Sequence, residues 1–115
     1  MEEKDPTGRN PKDPGAKLDA GKPPVELLIE AFPRALAEVT CVNEYGAKKY
    51  SRNGWRFVPN GIDRYTGALG RHLFSEQIDG PIDPESGLHH DAQVAWNALA
   101  RLELRLMEDE KCEKL

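Results

Sequence analysis

Near the end of the chain, Leu88, Ala92, Ala95, Trp96, Leu99, Leu102 and Leu106 recur at spacings of three and four residues. At 3.6 residues per turn these positions form one stripe along a helix, and such a stripe must be covered by another element. Strands would show every second residue apolar, and no alternation of useful length occurs anywhere in the sequence. The pattern therefore predicts an all-α protein, a small bundle of three to four helices.

The remaining segments fit that class. Val25, Leu28, Ile29 and Phe32 have helical spacing after the start signal Pro23-Pro24. A second helix is predicted from Pro33 to about Tyr50, with Leu36, Val39 and Val42 on one stripe. Turn formers crowd residues 51 to 61 and predict a loop. A third helix is expected from Ile62 to Glu76 with Ile62, Tyr65, Leu69 and Leu73 inward. The run Asp79 to Pro84 breaks the chain again, which puts Glu76-x-x-Asp79 partly in a loop. Asp83 or Ser86 is placed to cap the last helix.

Composition separates the ends from the middle. Residues 1–24 hold five prolines, three glycines and ten charged residues, with only Met1, Ala16, Leu18 and Ala20 apolar. Such a segment buries too little to offset its ordering entropy and is expected to be a flexible or draped arm. Residues 25–108 are the helical domain and 109–115 a charged tail. A core of that size is marginal, so a homo-oligomer joined through the last helix is expected. With 16 Lys and Arg against 20 Asp and Glu, long nucleic acid is not an expected partner, while a local pocket for a small anion is. No apolar run reaches the ~20 residues of a membrane span, and the acidic start Met1-Glu2-Glu3 shows no signal peptide. Cys41 and Cys112 form no CxxC pair and are read as thiols of a reducing, cytoplasmic compartment, which excludes zinc ribbons and disulfide scaffolds.

Several polar groups invite a chemical reading. His90, Gln93 and Asn97 share one face of the last helix; they form either a site or a hydrogen-bond network between helices. Arg64 and Arg71 lie two turns apart with Gly67 or Ala68 between them, leaving room for a phosphate-bearing ligand; two solvated arginines are the plainer reading. His72 either joins that ligand or simply packs. Lys48 and Lys49 suit the dipole at a helix C-terminus, or face phosphate while Tyr50 or Trp55, near Asn53, stacks on a base. Lys17 and Lys22 lie in a Gly-rich run that is not a P-loop, because Pro23 stands where Ser or Thr is needed and no strand precedes it.

Taken together, Gly15 to Pro23, Tyr45 to Tyr50, Asn53-x-Trp55, Arg64-Tyr65 with Arg71-His72, Asp83 to His90 and Ala95 to Leu99 resemble the phage dATP/dGTP diphosphohydrolase family of N-terminal-domain type. The resemblance covers residues 15 to about 104 and implies a small helical protein that handles purine deoxynucleoside triphosphates. It also implies that Lys17 and Lys22 order over the ligand as a lid. The family pattern often has a second histidine where this chain has Gln93, a poorer metal ligand. The paired ExxE and ExxD helices of MazG-like pyrophosphohydrolases are not seen.

Two functions follow. A diphosphohydrolase would cleave the nucleotide to monophosphate and pyrophosphate with magnesium. Its candidate acids and bases are His72, Asp83, Glu85 and His90, its metal ligands Glu44, Asp83 and Glu85, and its phosphate cations Arg64, Arg71, Lys48 and Lys49. A nucleotide-binding protein without turnover, sequestering a signal of host defence, would need only the basic and aromatic groups.

Overall fold

The computed structural model describes residues 3–109, so the expected tail, apart from Asp109, and Cys112 lie outside the described residues. The architecture is all-α. Helix α1 spans Glu26–Ala31, α2 Pro33–Lys49, α3 Gly61–Asp79 and α4 His90–Asp109, with a 3₁₀ turn at Gly54–Phe57. Pro33 opens α2 where its missing N–H costs nothing, and Lys48 and Lys49 sit in the last turn beside the carbonyl ends.

Helices α3 and α4 form an antiparallel hairpin: a side-chain carbon at Gly61, the start of α3, would stand 3.0 Å from Leu104 near the end of α4. α2 crosses α4, with Trp96 Nε1 donating to Asn43 Oδ1 at 3.0 Å and His89 paired with Glu38. Residues 3–24 form turns without helix or strand. Asp5 ties them together, its carboxylate accepting from Thr7 N, Thr7 Oγ1 and Lys17 N.

Three expectations change. α3 continues to Asp79, because Gly80 supplies the positive φ (101°) that ends it and its N–H still reaches Glu76 O. Glu76 and Asp79 are therefore helical, not loop. α4 starts at His90 rather than Leu88, since residues 81–90 close as a small hairpin in which His90 N donates to Pro81 O and Asp83 N to Leu88 O, each 2.8 Å. Asp83 and Ser86 consequently cap this loop, accepting from Glu85 N and Leu88 N, and not the helix.

The third change concerns the core. Among the described residues only Val42, Ala92 and Ala100 are buried apolar side chains. Leu73, Leu99 and Leu102, expected inward, are 45%, 52% and 53% exposed, and Val25, Leu28, Ile29 and Phe32 of the first helical segment are exposed as well. The helices form a thin layer, and among the described residues those stripes are only partly covered by neighbouring helices. The accessible surface is 9090 Å², against about 6,300 Å² for a compact monomer of this mass. The radius of gyration is 18.5 Å, against about 13 Å for a compact chain of this length. No helix among the described residues is long and apolar enough to cross a membrane.

Candidate functional site

The end of α2, the loop and 3₁₀ turn that follow, the mid-part of α3, the 83–85 loop and α4 enclose a cleft of ≈ 690 Å³. That volume lies in the ordinary range for small-molecule sites. Its floor is aromatic. Trp55, Tyr65 and Trp96 meet edge to face with centroids 5.6 to 6.4 Å apart. Tyr65 Oη donates to Trp55 O at 2.7 Å, which pins the 3₁₀ turn to α3. Asn53 precedes that turn at φ 58°, a left-handed conformation that asparagine tolerates. Gly54 follows it because a Cβ there would lie 2.2 Å from Ser51 Oγ.

The rim is cationic. Arg64, Arg71 and Lys49 all line the cleft. Arg71 folds back over α3, so that a Cβ at Gly67 would stand 3.0 Å from its Nη1. Lys49 is bonded to Glu85, which raises the lysine's basicity and holds the Glu85 carboxyl below the usual carboxylate range, with a smaller lowering from the nearby Tyr45 hydroxyl. Burial, and then Glu85, push the Tyr45 hydroxyl up. Lys49 Nζ also stands 5.3 Å from the centroid of the exposed Tyr50 ring.

Asp83 and Gln93 complete the polar wall. Gln93 Nε2 donates to Ser86 Oγ at 3.0 Å and approaches Asp83 Oδ2 at 3.5 Å, so α4 holds the loop that carries both carboxylates. Asn97, buried, donates to Gln93 O at 2.8 Å. His72 lines the cleft, and burial, with smaller contributions from His90 and Arg71, lowers its basicity against the opposing pull of Asp83 and Glu85.

Not every expected residue gathers here. Glu44 pairs with Lys48 at 3.6 Å, and neither lines the cleft. Lys22 pairs with Glu3 at 3.1 Å, and Lys17 meets Asp5 through its backbone; both lie outside the lining. His90 is 4% exposed and sits behind His72 rather than in the cleft. The described residues contain no group of three or more His, Cys, Asp or Glu side chains able to hold a metal ion together. Asn43 and Tyr45 were not singled out from the sequence. Tyr45 could have been, because it precedes Lys49 by one helical turn and so shares its face.

The family model described as dATP/dGTP diphosphohydrolase, N-terminal, matches residues 12–114. The chain belongs to this family. A family relative, a dATP/dGTP diphosphohydrolase of Salmonella phage PMBT28, is 35% identical over 81 residues, which is 70% of this chain and 26% of the relative. The chain thus spans about a quarter of the length of the curated relative it matches. No solved structure matches it. Within the family match fall all the cleft residues named above, from Asn43 to Asn97.

Proposed function

We propose that the cleft binds a purine deoxynucleoside triphosphate of the dATP or dGTP kind and supports its cleavage to monophosphate and pyrophosphate. The observation that carries this reading is the placement of Arg64, Arg71 and Lys49 around one aromatic-floored cleft in a chain of this family. Guanidinium groups bind phosphate oxygens in a bidentate way, and they act most strongly where charge builds during phosphoryl transfer. Tyr50, exposed at the mouth, offers a ring face for the base; Trp55 has its edges and faces engaged with Tyr65, Trp96 and Arg56 and acts as floor.

Asp83 and Glu85 offer carboxylate oxygens in the same cleft, Glu85 directly beside Lys49. Magnesium typically takes one or two carboxylates and fills its shell with water and substrate phosphates, so these two fit as its protein ligands. When bound, the ion would neutralise phosphate charge and lower the pKa of a coordinated water. The chain's own part is to hold the triphosphate against the cations while a water oxygen bonds to the α-phosphorus and gives up its proton to a cleft carboxylate oxygen of Asp83 or Glu85. The bridging P–O bond to the β-phosphate breaks, and pyrophosphate leaves. An incoming phosphate competes with Glu85 for Lys49, which frees the Glu85 carboxylate as the ligand arrives.

The protein is also proposed to be a homo-oligomer, since surface in excess of a compact monomer includes the exposed leucines of α4. Incubating the chain with a nucleotide panel and magnesium, then separating products chromatographically, tests the function. Monophosphate and pyrophosphate support the enzyme. Intact nucleotide recovered after denaturation supports binding without turnover, and neither product nor bound nucleotide refutes both.

A further inference from the structure

The Nδ1 atoms of His72 and His90 are 2.9 Å apart, with the rings tilted by 46°. At that separation one nitrogen must carry a proton and the other must be bare, because two lone pairs or two N–H groups would repel. The two neutral arrangements have different consequences. If His72 donates, His90 must carry its one ring proton on Nε2, which is buried and has no hydrogen-bond partner. If His90 donates, its Nε2 is a bare lone pair. An orphaned buried N–H is rarer than an under-satisfied acceptor, so the second arrangement is favoured.

We propose that His90 is a positioning residue: its Nδ1–H fixes His72 as the Nε2–H tautomer, so that His72 presents a neutral hydrogen-bond donor, not a base, to the cleft. The geometry follows from the fold, since α4 starts at His90 and lays its first turn against the middle of α3. The nature of the ligand rests on the nucleotide reading above: an N–H beside Arg71 suits a phosphoryl oxygen, whereas a lone pair would repel it. Proton transfer in the cleft then falls to carboxylates, and His72 neutralises nothing but orients.

Histidine-labelled full-length protein, free of nucleotide, is examined by long-range ¹⁵N–¹H correlation NMR. The expected wild-type spectrum has His72 protonated at Nε2 and His90 at Nδ1. His90→Asn places an amide N–H close to where Nδ1–H stood and should leave His72 unchanged; His90→Leu should release His72 into a mixture of tautomers. Inorganic pyrophosphate serves as the affinity probe. It should bind wild type and His90→Asn alike, and His90→Leu about two- to tenfold more weakly, the worth of one neutral hydrogen bond. His72 protonated at Nδ1 in wild type, or unmoved by His90→Leu, overturns the proposal. Should His90→Leu not fold, the wild-type and His90→Asn spectra decide alone. The expected tautomers without any pyrophosphate binding would uphold the role of His90 and count against the nucleotide reading instead.

Discussion

Replacing Gly67 by alanine should strengthen the fold and weaken the site at once. Gly67 lies inside α3, where glycine costs about 1 kcal/mol relative to alanine. The added Cβ would meet only the Arg71 guanidinium, 3.0 Å from Nη1 and 3.8 Å from Cζ. That group is the far end of a flexible side chain, so it yields by a few tenths of an ångström at little cost to stability. Thermal unfolding should therefore rise by about 4 °C for a domain of this size. The guanidinium, however, is displaced from the position it holds over the cleft. A charge-assisted hydrogen bond contributes about 1.5–3 kcal/mol, and losing roughly half of one weakens binding about three- to thirteenfold. Calorimetric titration with a non-hydrolysable purine nucleotide, beside a thermal melt, reads both effects. A stabilised variant with wild-type affinity would show that the bent-back Arg71 conformer holds no phosphate.

Three further outcomes follow from the structure. Arg64→Lys keeps the charge and loses the fork, so nucleotide affinity should fall by roughly ten- to hundred-fold; unchanged calorimetric affinity would return Arg64 to the solvated surface. Light scattering at micromolar concentration should give a multiple of the 12.9 kDa chain mass, and a monomer mass would contradict the oligomer. Glu76 has its carboxyl raised above the ordinary 4.5, chiefly by its hydrogen bond with the Asp91 carboxylate and then by burial. A group raised in the folded state stabilises fully below its unfolded value and loses that contribution as pH climbs through the folded value. Glu76→Gln keeps a donor toward Asp91 at every pH, so its stability relative to wild type should grow from pH 4 to 7 in denaturant titrations. A gap that does not vary with pH would remove the carboxyl pair from the account.

The fold class was legible because periodicity reports which face of a helix is apolar, and that depends on local spacing alone. What covers the face does not. Leu99 and Leu102 have the spacing of core residues and yet stand half-exposed, since no described element covers them fully. Boundaries failed where loop chemistry competed with helix chemistry: Asp83 and Ser86 are good capping residues, and they cap turns of the 81–90 hairpin that precedes the helix they seemed to announce. In the site, Arg64 and Arg71 were readable from i, i+7 spacing, and the structure puts both on the cleft. The pairing of His72 with His90 was not, because the two lie eighteen positions apart, across the last turns of α3 and the loop before α4, and only the α3–α4 register brings their rings together.

Gln93 shows how a departure from a family pattern can be read physically. A neutral imidazole at that position could bind a metal, and glutamine does so poorly. Glutamine has instead an amide that donates, and here it donates to Ser86 and leans on Asp83. The loop 83–86 is thereby fixed to α4 by a side chain, while the Glu85 end is fixed to α2 by Lys49. Both carboxylates are therefore held from two helices, and a carboxylate pair held in this way suits an oxygen-preferring ion better than a nitrogen-preferring one. Glutamine at this position thus serves the loop's geometry, holding Ser86 and Asp83 against α4.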